Sequence, residues 1–148
     1  MQTNGATSMK ASRERKLTKE KREYWLLAER KVGYYPEHTD RGGKWLIFVP
    51  SDAVDEVWQR VKQAAEEGKL GSSAKVSTAK SNPNSTDSSK YVICVYTYDA
   101  DDEADVQQIR SSLRQLGFTN KIPYKADDTT FQGKYSKSGD KRTSLYYE

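Results

Sequence analysis

Gly42-Gly43-Lys44-Trp45-Leu46-Ile47-Phe48-Val49-Pro50, followed directly by Ser51-Asp52-Ala53-Val54-Asp55-Glu56-Val57-Trp58, decides the fold class. Lys44 to Val49 is an apolar run of strand length, and it stops at Pro50, which has no N–H to give a ladder. A helix begins almost at once. Ser51 or Asp52 is expected to cap it by accepting a backbone N–H bond. Asp55 and Glu56 lie in its first turn, where the helix dipole favours carboxylates. Val54, Val57, Trp58, Val61, Ala64 and Ala65 recur at helical spacing, and Gly68 is the expected left-handed C-terminal residue.

Working outward, Ala74 to Ala79 reads as a second strand and Tyr91 to Tyr98 as the strongest one. Val92, Cys94 and Tyr96 alternate with Tyr91, Ile93 and Val95. Both faces are apolar or aromatic, which predicts a central strand covered on both sides. Asp101 or Asp102 caps a second helix with the stripe Val106, Ile109, Leu113 and Leu116, closed by Gly117. Ile122 to Lys125, Thr130 to Tyr135 and Arg142 to Tyr147 are predicted strands, with a hairpin turn at Ser138-Gly139-Asp140. On the N-terminal side, Asp40-Arg41-Gly42-Gly43 is a turn and Val32 to His38 a loop. Leu17 to Lys31 reads equally as helix, as a short strand around Tyr24-Trp25-Leu26-Leu27, or as a docking patch. The whole is α+β: one mixed or antiparallel sheet with two main helices packed on one face. Residues 1–16 read as a disordered basic arm, and 17–148 as a single α+β domain with a mobile polar loop at 81–89.

Charge is unevenly placed along the 148 residues. Met1 to Lys31 holds nine Lys/Arg against four Glu, whereas the remainder is close to neutral. The basic arm suits phosphate backbones or acidic surfaces, and equally a solubilising tail. A single cysteine, Cys94, leaves no internal disulfide to form. No apolar run approaches the ~20 residues that span a bilayer, and the first residues lack a secretory apolar core. A cytoplasmic protein without membrane contact is expected.

From Lys44 onward the chain resembles the family typified by the basophilic-leukaemia-expressed protein. The residues that carry the resemblance are Lys44-Trp45-Leu46-Ile47-Phe48, Val54-Asp55-Glu56-Val57-Trp58, Gly68-Lys69-Leu70-Gly71, Ala74-Lys75-Val76-Ser77-Thr78, Val92-Ile93-Cys94-Val95-Tyr96-Thr97, Leu113-Arg114-Gln115-Leu116-Gly117, Tyr124-Lys125-Ala126-Asp127, Gly133-Lys134-Tyr135 and Arg142-Thr143. That family is similar in fold to translation initiation factor 4E. The resemblance therefore implies a curved sheet with helices on its convex face and a ligand groove in front. It does not imply cap binding, which uses two loop tryptophans and a nearby acid. Trp45 falls in a strand and Trp58 in a helix, so Trp25 alone is placed to reach a ligand. The helix from Val54 to Trp58 looks like the partner-docking helix of the initiation factor. Trp58, and Trp25 in the Tyr24 to Leu27 patch, are the candidate partner-binding residues.

Candidate phosphate ligands in that groove are Lys75, Ser77, Tyr96, Lys125, Lys134, Tyr135, Lys141 and Arg142. Lysine and arginine neutralise phosphate, and tyrosine stacks on a base. The plain alternative is exposed lysines on a sheet whose tyrosines pack in the core. The acids Asp99, Asp101, Asp102, Glu103 and Asp105 lack the glycine and distal glutamate of a calcium loop, and a helix start explains them. No metal and no cofactor is expected. His38, the single histidine, lies in a loop near Asp40 and Tyr35; Cys94, among apolar neighbours, should be protonated and inert. Three functions follow. The first is a binding module for a nucleotide or RNA end. The second is an enzyme on a phosphorylated substrate, a phosphate-eliminating lyase or phosphotransfer enzyme, with Lys75 or Lys125 as base and Tyr135 as acid. The third is a protein-interaction module built on the helix around Trp58.

Overall fold

The computed structural model describes residues 25–78, 90–127 and 145–148. The expected arm at 1–16, the loop at 81–89, the strand at Thr130 to Tyr135 and the turn at Ser138 to Asp140 lie outside these residues.

Among the described residues, six strands form one antiparallel sheet: β1 (Trp25–Glu29), β2 (Gly43–Pro50), β3 (Ser73–Ser77), β4 (Lys90–Thr97), β5 (Pro123–Ala126) and β6 (Tyr146–Tyr147). Their spatial order is β1-β3-β4-β2-β5-β6. β2 and β4 pair along their full length, from Gly43 opposite Thr97 to Pro50 opposite Lys90. The segment left open between helix and strand is thus strand at Trp25–Glu29. Pairing with β3 decides it, from Trp25 opposite Ser77 to Glu29 opposite Ser73.

Two helices, α1 (Val54–Glu66) and α2 (Glu103–Gln115), pack on one face. Side chains alternate across a strand, and the helix-facing set is Trp45, Ile47 and Val49 from β2 with Ile93 and Val95 from β4, all buried. Trp45 ties the layers together, since its Nε1 donates to the Val106 carbonyl of α2 at 3.1 Å. The expected apolar faces hold: Val54, Trp58, Val61, Ala64 and Ala65 of α1 are buried, as are Val106, Ile109 and Leu113 of α2.

Two expectations need correction. Neither Ser51 nor Asp52 caps α1. Its N-cap is Ala53, with no side-chain cap bond, because residues 51–53 are spent on a turn in which Ala53 N bonds the Pro50 carbonyl at 3.0 Å. Asp102 does cap α2, accepting from Asp105 N at 3.2 Å. The second correction concerns β4. It is central, but the helices cover only the face of Ile93 and Val95. On the other face Val92 and Tyr96 are partly exposed, although Cys94 is buried. That open face is the concave front of the sheet, and it carries the polar chemistry.

Candidate functional site

Parity puts Lys44, Leu46 and Phe48 of β2 on the open face, together with Trp25, Lys75, Ser77, Cys94, Tyr96 and Lys125. Tyr96 lies opposite Lys44, and Lys44 lies opposite Lys125, so the three form a row across β4, β2 and β5. Lys75 is one row below, opposite Cys94.

Two lysines directly opposite each other repel. Asp127, just past β5, relieves this by ion pairing with Lys44 through a short contact. Its other carboxylate oxygen lies 3.4 Å from His38 Nε2. The histidine ring also meets the edge of Tyr96, with centroids 6.1 Å apart. Lys75 is held differently. Its Nζ lies 4.3 Å from the Trp25 ring centroid and 5.8 Å from that of Tyr96. Lys44 Nζ is likewise 5.8 Å from the Tyr96 centroid. The Tyr96 ring thus has two ammonium groups within cation–π reach. Among the described residues, no carboxylate lies within ion-pair distance of Lys75 or Lys125.

The protonation states suit an anion. Burial, then the neighbouring Cys94 and Asp127, pushes the Tyr96 phenol well above its ordinary value, so it holds its proton. Burial also raises the Cys94 thiol to about 11, although Lys75 and Lys44 pull it down. Cys94 is therefore a thiol, not a thiolate, at neutral pH.

The candidates named from sequence divide accordingly. Lys75, Tyr96 and Lys125 share the open face. Ser77 does too, but its Oγ accepts from Val92 N at 3.0 Å and is committed to the edge of the β3–β4 ladder. Lys134, Tyr135, Lys141 and Arg142 lie outside the described residues. Trp25, read as partner-binding, stands on the open face against Lys75. Trp58 is 3% exposed and belongs to the core, so in this structure it presents no surface to a partner. Past the end of β4 the Tyr98 hydroxyl donates to Asp102 and its ring meets Tyr35 edge-on at 5.6 Å. His38 pairs with Asp127 rather than Asp40 or Tyr35. Sequence reasoning missed Lys44 and Asp127, although Lys44 is displayed by the same alternation that buries Trp45.

The aspartates of the acidic run are accounted for by partners: Asp99 accepts from Thr39, Asp101 from Arg41, Asp102 from Tyr98, and Asp105 from Tyr35. Among the described residues, no group of three His, Cys, Asp or Glu is placed to hold a metal. No helix among them is long and apolar enough to cross a membrane. Among the described residues, two cavities lie away from the lysine row. One, of about 550 Å³, is a polar cleft behind the sheet between Arg30, Tyr35 and α2. The other, of about 630 Å³, lies between Phe48 and Tyr147 of the front and Ile47, Val49 and Val57 of the helix side, walled by residues 117–123.

A curved antiparallel sheet backed by two helices is the eIF4E-like fold. A schistosome eIF4E complexed with m7GpppA and 4E-BP is similar over 99% of this chain and 81% of that one, with TM-score 0.62 and 15% identity. C. elegans eIF4E-3 in complex with the 4E-binding protein Mextli and cap analog is similar over 99% and 80%, with TM-score 0.61 and 14% identity. At such identities the likeness is one of fold. The chain belongs to the family of basophilic leukemia-expressed protein Bles03, whose family model matches residues 2–132.

Proposed function

We propose that this protein is a cytoplasmic, non-enzymatic binding module whose concave sheet face takes a phosphate-bearing ligand, a nucleotide or an RNA end. The observation that carries the reading is the pair of ammonium groups about the Tyr96 ring, Lys44 and Lys75, with Lys125 one strand further and Asp127 as the carboxylate that pairs with Lys44. Among the described residues such a face has positive charge to spare, and phosphate oxygens would supply acceptors for it. Trp25 and Tyr96 offer rings for a base. By sequence the reading extends to Lys134, Tyr135, Lys141 and Arg142. The solved eIF4E proteins of this fold were crystallised with cap nucleotides, which supports a nucleotide here. The base would be gripped differently, because the described loop between β1 and β2 has Tyr34, Tyr35 and His38 but no tryptophan. Docking of a protein partner through Trp58 is disfavoured by its burial.

The experiment is a calorimetric titration of the full chain with cap analogue, mononucleotides and inorganic phosphate. Tryptophan emission serves as a second signal, since Trp45 and Trp58 are buried and Trp25 is the one that a ligand on this face would touch. A hydrogen bond to a charged group is worth about 1.5–3 kcal/mol. Lys75→Ala should therefore weaken binding roughly tenfold or more with the circular dichroism unchanged. Equal affinity for Lys75→Ala, or no heat with any phosphate ligand at low salt, would sink the proposal.

A further inference from the structure

Phe48 takes no part in the phosphate site, yet it is 56% exposed on the same face. It stands four residues along β2 from Lys44, roughly 13 Å at strand spacing. Tyr147, on the last strand, is also 56% exposed. Both rings line the 630 Å³ pocket, which sits beside the part of β2 that β5 does not pair and has Phe118, Ile122 and Pro123, with Ile47, Val49 and Val57 from the helix side, among its apolar walls. Thr119 and Asn120 add polar groups, no carboxylate lines it, and its charged lining residue is Lys121. The front of the sheet is thus a strip that begins in cations and rings at Lys44, Lys75, Tyr96 and Trp25. It ends in an open aromatic pocket with one more cation at its rim.

We propose that this strip binds a single strand of nucleic acid several nucleotides long, with its phosphates against Lys44, Lys75 and Lys125 and one base stacked on Phe48 at the mouth of the pocket. The proposal rests on the phosphate-site reading and names its ligand class. A mononucleotide holds its base only a sugar's breadth from its nearest phosphate, well short of the span from Lys44 to Phe48. A strand covers that span by adding residues. Rings interleaved with cations along a sheet are how single strands are held without strict sequence choice, one ring to a base. A duplex keeps its bases stacked on each other and offers the rings nothing. The distribution of charge favours a polyanion over an apolar peptide, since the pocket itself carries a cation and no acid.

The test uses the full chain with fluorescein-labelled oligouridylates and oligoadenylates of two, four and eight nucleotides, read by anisotropy, beside unlabelled UMP and AMP read by calorimetry. Affinity should climb with length until the strand reaches the pocket. Phe48→Ala should weaken the octamer about tenfold, the loss of one stacked base, while leaving mononucleotide binding unchanged. Phe48→Tyr should restore it. The octamer's salt slope should be near −2, from three lysines at about −0.7 each. Phe48 is a surface residue, so its variants are expected to melt as the parent does, and a melting curve checks this. Octamers that bind no more tightly than mononucleotides, or an octamer indifferent to Phe48→Ala, would overturn the strand proposal and leave the phosphate site standing. Failure of mononucleotides and octamers alike would remove both. An acidic, phenylalanine-containing peptide that binds in a Phe48-dependent way where the octamer does not would replace nucleic acid with a protein segment.

Discussion

Arg110→Ala is expected to cost the fold about 3–5 kcal/mol, because it leaves three main-chain oxygens without their donor at about 1–3 kcal/mol each. Arg110 is fully buried in α2. Its Nε donates to the carbonyl of Glu148 at 2.8 Å, Nη1 to that of Phe118 at 2.9 Å and Nη2 to that of Asn120 at 2.8 Å. The guanidinium carbon also lies 5.7 Å from the Trp45 ring centroid. Three charge-assisted bonds at about 1.5–3 kcal/mol each would sum to more than this. Relief of the desolvation of a buried cation offsets part of that sum. The expected loss is a large share of the roughly 5–15 kcal/mol that holds a domain together. Urea denaturation with unchanged slope reads it directly, and the melting point should fall by roughly 10 °C for a chain of this length. Arg110→Lys should recover little, because one ammonium cannot fork to three carbonyls. The same three carbonyls belong to the chain around Phe118, Asn120 and Tyr147, which walls the pocket beside Phe48. The variant should therefore weaken an oligonucleotide more than a mononucleotide. A loss below about 1 kcal/mol would refute this account, since it would mean that water satisfies those carbonyls as well as Arg110 does.

Two further outcomes follow from the helices. Hydrogen bonds from the Tyr98 hydroxyl, then from Asp105 N, hold the Asp102 carboxyl below its ordinary value of 3.8. A depressed carboxyl stabilises the fold in full above its unfolded value, and that stability is lost as pH falls through the folded value. Asp102→Ala should therefore lose about 1 kcal/mol of capping at neutral pH. In urea melts at falling pH, the gap to the parent should close below about pH 4; a gap of constant size would contradict the assignment. Trp58→Ala should cost about 3–5 kcal/mol as a buried large-to-small change, and near-parental stability would show that Trp58 is not the core residue described.

Legibility tracked locality. The strand at Lys44, the strand at Tyr91 and both helices are written as period-2 and period-3.6 patterns in contiguous residues, and they stand where those patterns put them. β1 was undecidable because Trp25-Leu26-Leu27-Ala28 is too short for either period. Only its pairing with β3, some fifty residues on, makes it a strand. The cap of α1 was misassigned because Ser51 and Asp52 have the right chemistry but fall inside a turn over Pro50. Lys44 was readable in principle, since any strand that buries Trp45, Ile47 and Val49 must show Lys44 and Phe48 on its other side. So was Arg110. It follows Val106 by four and precedes Leu113 by three, which places it on the buried stripe, although its charge argues for the surface. The Asp127 contacts with Lys44 and His38 were not readable, for they join residues more than eighty positions apart.

The protonation of the front face bears on whether it binds or reacts. An enzyme that eliminates or transfers phosphate needs a base with a free lone pair near the substrate. The hydroxyl of Tyr96 and the thiol of Cys94 are both pushed upward and keep their protons at neutral pH. Asp127 is the carboxylate at hand, and it already answers Lys44 and His38. Lys75 lies against two rings, those of Trp25 and Tyr96. The Tyr96 hydroxyl and the Cys94 thiol on this face are therefore donors at neutral pH rather than bases. The parity of the strands keeps this chemistry apart from the core. Lys75 and Phe48 can be changed without touching Trp45 or Ile93, so variants at Lys75 or Phe48 should alter affinity, a variant at Trp58 should alter stability, and the two effects should add when combined.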